Sequence, residues 1–414
     1  MLGLIVGLFL VEKSIAFFNI CMGFCLFWVI LDIILKKTIQ VNWTYFCCFA
    51  CLFLFFFINS LLNFTDIKDF FTINKKLILW MIIPFIVLYE GFNDKKMIFT
   101  YIYTFVVCVC MIELGSLYVH FQNEHYFSAS FFEKYGLSWT DTRLQFPYLK
   151  MNHHTIVFYV NTSIILLLWL FLNSNKNIIR VLFGLLLILQ FLYIFFNGAR
   201  VGILSSFMIL IISAFSYQNN PAVKKIITIS FWGGLLLFST LYYTNIRIKY
   251  IVDNSIKEVK NIVTSSQKNN IKVEGNIGVR VDSYLKSIPI IKDHFWKGSA
   301  FLEYESLIDT YYSINYPTET VVYPPNQWIK LAINLGVPIM ICFMICFFLP
   351  LFTFKNYKHF IILSYYCIVF VYFNTEAPMH SKLIFPFLIV ITPLLLKTSS
   401  YIVSNKLYFN PNSV

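Results

Sequence analysis

Runs of about 17 to 25 apolar residues recur along most of this chain, each the length of a bilayer-crossing helix, and this restricts its fold more than any other feature. In hydrocarbon every backbone N–H and C=O has to find its partner within the segment, so such runs fold as helices. Twelve spans are read: 1–11, 14–35, 43–62, 77–92, 97–119, 151–173, 178–197, 201–217, 225–244, 326–352, 359–374 and 381–397. The first lacks a basic start and a small-residue cleavage site, so it is read as a short span hairpinned onto the second rather than as a signal peptide. With 58% hydrophobic and 13% charged residues, composition excludes a water-soluble globule. The fold class is therefore an all-α integral membrane protein of about twelve transmembrane helices.

One long segment breaks the apolar pattern. Residues 243–325 carry Lys249, Asp253, Glu258, Glu274, Asp282, Asp293, Glu303 and Asp309 among others. So polar a stretch belongs in water, between two spans. The chain thus divides into a bundle over 1–242 of about nine spans, a large, mostly helical loop over 243–325, and a bundle over 326–414 of about three spans. A second polar stretch lies at about 120–150.

Basic residues set the orientation. Lys36 and Lys37, Lys95 and Lys96, Lys176 and Arg180, Lys224 and Lys225, Lys355 and Lys358, then Lys397 and Lys406 fall on one side by alternation. That side is cytoplasmic by the positive-inside rule, and the loop at 63–76 is the one exception. The net charge of +12 is dispersed over short loops, which is a topology signal and excludes a nucleic-acid partner. All ten cysteines lie inside predicted spans, where they act as small apolar residues and not as a disulfide framework or metal site. Within the spans Glu113 is the one acid placed well inside, with Asp32 and Glu90 nearer the inner ends. That scarcity counts against ion-coupled transport.

The outer face collects Arg143, Arg200, Arg247 and Arg280 together with His120, His125, His153, His154 and His294. Guanidinium stays charged and grips phosphate oxygens in pairs, so four arginines on one face point to a phosphate. Snorkelling anchors are the alternative for Arg143 and Arg247. Arg200 follows the turn Asn197-Gly198-Ala199 and opens a helix, whose free N–H groups favour an anion. Arg280 sits on a stretch where Ile277, Val281, Tyr284, Leu285, Ile288 and Ile291 form an apolar stripe at helical spacing, the pattern of an amphipathic helix. His153 and His154 open the sixth span. Adjacent histidines diverge on a helix, so a general base or a sugar contact suits them better than a metal, with a plain interfacial histidine as the alternative.

Three segments resemble the bacterial O-antigen polymerase and O-antigen ligase family: FNGARVGILSSFMILI around Arg200, GVRVDSYLKSIPIIKDHFWKGSAF from Arg280 to Gly298, and YPPNQWIKLAINLGVPIMI entering the span after the large loop. RLQFPYLKMNHHTIVFYV, from Arg143 to the paired histidines, is similar to a fourth stretch of that family. The resemblance covers about residues 143–341. It implies a GT-C-like glycosyltransferase of the bacterial inner membrane with its active site facing the periplasm. The donor would be an undecaprenyl-pyrophosphate-linked glycan, the acceptor a second glycan, and a chain-length regulator a candidate partner. Arg200 and Arg280 would be catalytic, stabilising charge on the departing pyrophosphate, with Arg143 and Arg247 as further pyrophosphate contacts and no metal or other cofactor. Ligases of the family carry a histidine where this chain has Pro325, which cannot accept a proton. The base or sugar contact then falls to His153, His154, Asn326, Glu305 or Glu319, and Tyr304, Tyr311, Tyr312 and Tyr316 are candidates for stacking on sugars or for plain loop packing. Polymerisation of repeat units is the leading expectation, ligation to lipid A–core the second, and a lipid-linked oligosaccharide flippase or other transporter the third.

Overall fold

The computed structural model describes residues 1–404 except 12, 64–69, 72–77, 93–94, 123–150, 152, 175, 218–220, 245–248, 251, 255, 259, 261–275, 300–303, 354–355, 357–358 and 381–383. Among the described residues the regular structure is helical, without a β-strand. The amino-terminal half contributes α1 (Leu2–Leu10), α2 (Ile15–Lys36), α3 (Trp43–Leu62), α4 (Leu79–Leu88), α5 (Lys95–Gln122), α6 (His153–Asn173), α7 (Asn177–Asn197), α8 (Arg200–Ser216) and α9 (Pro221–Thr244). Then come α10 (Asn276–Asp293), α11 (Tyr304–Asn315), α12 (Gln327–Leu335), α13 (Val337–Phe352), α14 (Phe360–Thr375) and α15 (Ile384–Ser404). Six of these helices are long and apolar enough to cross a membrane: α2, α3, α5, α6, α7 and α9. Five more, α4, α8, α13, α14 and α15, are shorter apolar helices.

The bundle is built around α6. Every residue from Thr155 to Leu170 is buried, the expected fate of a helix that is apolar on all sides. It packs against α5, α7, α8 and α14. Peripheral helices behave differently: on α7, Ile178 is 86% exposed, and on α9 Leu236 is 71% exposed. In a bilayer these faces meet lipid rather than water.

One element differs from the sequence expectation. The predicted span over 326–352 is broken at Gly336 into α12 and α13. Gly336 has φ +80°, a left-handed conformation that glycine takes without steric cost, and Pro338 opens the next helix. The break lets another backbone approach: Val337 N–H donates to the Phe295 carbonyl at 2.8 Å.

On α10 the apolar stripe is divided, with Val281, Tyr284 and Ile291 half-buried. Leu285 and Ile288 are exposed, whereas Ser283, Ser287 and Ile290 are buried. The serine hydroxyls donate back along the helix, Ser283 Oγ to the Arg280 carbonyl at 2.8 Å and Ser287 Oγ to the Ser283 carbonyl at 2.6 Å. Satisfied in this way, small polar residues can be buried and bring α10 close to α12.

At the opposite end of the bundle Lys397 is buried rather than lying in a loop. Its ammonium donates to the Val87 and Tyr89 carbonyls at 3.0 and 2.7 Å, filling the open acceptors where α4 ends.

Candidate active site

Arg200 is the first residue of α8. Gly198, at φ +69°, ends α7 in the left-handed conformation, and Ala199 turns the chain into α8. Gly202, two residues along, marks a close approach: a Cβ there would lie 2.1 Å from Val157 Cγ1 of α6. The side-chain amide of Asn161 on α6 donates to the Gly202 carbonyl at 3.3 Å. The glycine thus seats the start of α8 against the start of α6, where His153 lies one turn before Val157. The imidazoles of His153 and His154 stand with ring centroids 3.9 Å apart.

Arg280 reaches the C-terminal end of α14 from α10. It donates from Nη1 to the Thr375 carbonyl at 2.5 Å and from Nη2 to Glu376 Oε1 at 3.2 Å. A cation is favoured there by the helix dipole and by the open carbonyls. The same Glu376 oxygen lies 3.4 Å from His154 Nε2. Tyr284, one turn beyond Arg280, sets its hydroxyl 3.4 Å from the Pro325 and Asn374 carbonyls. Burial is the first cause raising the Tyr284 pKa above the ordinary tyrosine value, so it stays a hydroxyl donor. Asn326 completes the junction. Its oxygen caps α12 by accepting from Trp328 and Ile329 N–H, and its amide donates to the Asn374 carbonyl at 3.1 Å.

Contacts at one end of α6 therefore gather Arg280, Glu376 and the histidine pair, while Gly202 seats the helix that Arg200 opens against the same end of α6. Both guanidiniums are held by carboxylates. Arg200 Nη1 is 3.2 Å from Glu258 Oε2, and its side chain retains 31% exposure while Glu258 retains 13%. Arg280 keeps 33% and Glu376 20%. Partial burial strengthens these ion pairs relative to surface ones yet leaves the cations within reach of a ligand. The buried Arg200 Nε–H has no hydrogen-bond acceptor among the described residues. A donor left open in this way would gain from an incoming oxygen ligand.

Of the residues singled out from the sequence, Arg280, His154 and Asn326 meet around the C-terminal end of α14 with His153 beside His154, and Arg200 lies at the start of α8. Glu319 is instead bound to Lys286, which also pairs with Asp282 at 2.6 Å, almost two turns along α10 from Arg280. Burial pulls the Lys286 ammonium down, but its bonds to Asp282 and Glu319 outweigh that and raise its pKa above the usual lysine value. Glu305 lies exposed in the first turn of α11. Arg143 and Arg247 lie outside the described residues. Of the tyrosines, Tyr304 and Tyr312 are buried in a small core with Ile290, Ile308 and Ile333, while Tyr311 and Tyr316 pack against its edge.

Glu376 and Glu258 went unmarked in the sequence. Glu376 had a signal: it is the only acidic residue between 326 and 414. It stands beside Pro378 at the end of an apolar run, where a charge without a role is costly.

The two glycines of the resemblance motifs meet each other. A Cβ on Gly298, at φ +68°, would lie 2.2 Å from the Asn334 carbonyl oxygen, and one on Gly336 would lie 2.8 Å from the Phe295 carbonyl oxygen. Ser299 N–H donates to the Ile333 carbonyl at 2.7 Å, and the Asn59 amide of α3 binds the Lys297 and Asn334 carbonyls at 2.9 and 2.8 Å. This clasp fixes the far end of α10 to the bundle and so sets where Arg280 projects.

A family model described as O-antigen ligase matches residues 184–344, from α7 to the first half of α13. No curated protein matches the chain. The matched stretch holds both arginines and both clasp glycines. With its set of apolar helices, the chain is a multi-pass membrane protein in which residues 184–344 are similar to the family described as O-antigen ligase.

Proposed function

We propose that this protein is a glycosyltransferase of the bacterial inner membrane that joins undecaprenyl-pyrophosphate-linked oligosaccharides at the periplasmic face. The observation that carries this reading is the pair of partly buried arginines on two different elements, Arg280 paired with Glu376 beside His154 and Arg200 paired with Glu258. An acceptor hydroxyl attacks the anomeric carbon of the donor sugar and a new C–O bond forms. The bond from that carbon to the pyrophosphate oxygen breaks, and its electron pair leaves with the diphosphate. Arg200 and Arg280 meet the charge that grows on the leaving group, aided at Arg200 by the N–H groups that open α8. The acceptor proton passes to the His154–Glu376 pair, whose Nε2 and Oε1 lie 3.4 Å apart beside Arg280.

Polymerisation of repeat units is the favoured reaction, because the ligase histidine position is occupied by Pro325. The description of the matched family favours ligation to lipid A–core as the second reading. Deleting the gene separates them: a single repeat on core marks a polymerase, and bare core with accumulating lipid-linked polymer marks a ligase. The chemistry is tested with purified protein in proteoliposomes given lipid-linked oligosaccharide. Arg200→Ala and Arg280→Ala should each lower kcat by about 10² or more while the protein elutes as the wild type does. Near-normal turnover by both variants would refute the arginine mechanism.

A further inference from the structure

We infer that the cleft between α10 and α11 is a saccharide-binding groove for sugar units of the glycan that lie away from the reacting centre, an inference resting on the glycan-transfer reading above. The last turns of α10 and one face of α11 enclose an open cavity of about 390 Å³, within the size range of small-molecule sites. Its floor is apolar: Ile290 is buried and Leu307 half-buried. Around the rim stand Asp293, His294, Thr310 and Asn315, and Tyr311 supplies an aromatic ring.

The rim is rich in acceptors. His294 Nδ1 lies 3.1 Å from the Ile290 carbonyl, so it carries the proton and Nε2 is left to accept. The Thr310 hydroxyl donates to the Ser306 carbonyl at 2.8 Å, which leaves its lone pairs for a ligand. The Asn315 amide donates to the Tyr311 carbonyl at 2.9 Å, which leaves its oxygen to accept. With the Asp293 carboxylate these groups call for a ligand that donates many O–H bonds and also presents apolar C–H faces to a floor and a ring. A saccharide has that chemistry. Among the described residues no lysine or arginine lines the cleft, so a phosphate or lipid headgroup would find no counter-charge from them.

Placement fits the reaction. Asp293 follows Arg280 by thirteen residues on the same helix, which puts the groove roughly 20 Å along the axis from the arginine. A glycan with its anomeric end at Arg280 would lay more distant sugars in the cleft. Binding energy from such non-reacting units holds the substrate in place while the chemistry proceeds elsewhere.

The test uses the full chain in nanodiscs, titrated calorimetrically with the repeat-unit oligosaccharide released from its lipid carrier by mild acid. Wild type should bind it. Asp293→Asn and Tyr311→Ala should weaken binding about tenfold or more. Thr310→Trp, a change at an exposed position that fills the cleft without disturbing the core, should abolish it. Arg280→Ala should bind the free oligosaccharide as wild type does while losing turnover, and the groove variants should raise KM with kcat retained. Absence of binding by wild type, or equal affinity in wild type and Thr310→Trp, overturns the groove. Loss of oligosaccharide binding in Arg280→Ala also overturns it, because the sugar contacts would then lie at the arginine. If Arg280→Ala keeps turnover while Thr310→Trp loses binding, the groove stands and the diphosphate chemistry falls.

Discussion

Glu376 touches both His154 and Arg280, so one carboxylate sets the position of a cation and of a candidate base. Replacing it with Gln keeps the shape, removes the charge and leaves Arg280 its bond to the Thr375 carbonyl. Under the proposed mechanism Glu376→Gln lowers kcat by about 10² to 10⁴, the usual range for acid–base groups, and alters the pH–rate profile. An unchanged kcat and profile would assign Glu376 a purely structural part. Sequence reasoning reached Arg200, Arg280 and the histidines because each sits at a recognisable place, a glycine turn or a helix start. It passed over Glu376 because nothing local ties that acid to Arg280, 96 residues before it in the chain. Only the packing of α10 on the α14 end brings them together. Pro325 and Asn326 show the converse. The residues where family ligases place a base here form a turn and a helix cap, and Asn326 is spent on holding α12 to α14.

At the level of elements, glycines decide which helices touch. Gly202 admits Val157 where a Cβ would lie 2.1 Å from its methyl carbon. Gly202→Ala should push α8 off α6, cost about 1–3 kcal/mol by overpacking, and lower the apparent Tm in thermal-shift measurements. Adding Val157→Ala should restore a good part of that loss, because it vacates the same space. Additive losses in the double variant would mean that the two residues do not oppose each other. The clasp of Gly298 on the α12–α13 break is stricter, since its neighbour is backbone and cannot yield. Gly298→Ala adds a left-handed strain of roughly 1 kcal/mol to a clash with the Asn334 carbonyl. It should lower both Tm and turnover, whereas intact turnover would uncouple the clasp from the site. Helix existence was legible from apolar length alone, and each predicted span meets a helix. The break at Gly336 was not, because the apolar run continues through it and the reason for breaking lies in the Phe295 backbone. The apolar stripe of α10 was legible as an amphipathic helix, but its division was not: Val281, Tyr284 and Ile291 are half-buried while Leu285 and Ile288 stay exposed, because α10 meets the bundle along Ser283, Ser287 and Ile290.

Across the whole molecule, α6 is the axis on which α8 and α14 are aligned so that their ends bring Arg200 and the Glu376–Arg280 pair to one edge of the bundle. Each arginine is held by a carboxylate before any substrate arrives. That arrangement orders the guanidiniums, and under the proposed function a diphosphate would have to compete with the carboxylates for them. Glu258→Gln should therefore tighten diphosphate binding by freeing Arg200. The most direct test of the account is the affinity of the protein in nanodiscs for undecaprenyl pyrophosphate, compared among wild type, Glu258→Gln, Arg200→Ala and Arg280→Ala. The account predicts about tenfold or greater weakening for each arginine variant and tighter binding for Glu258→Gln. Equal affinity in wild type and both arginine variants would contradict it.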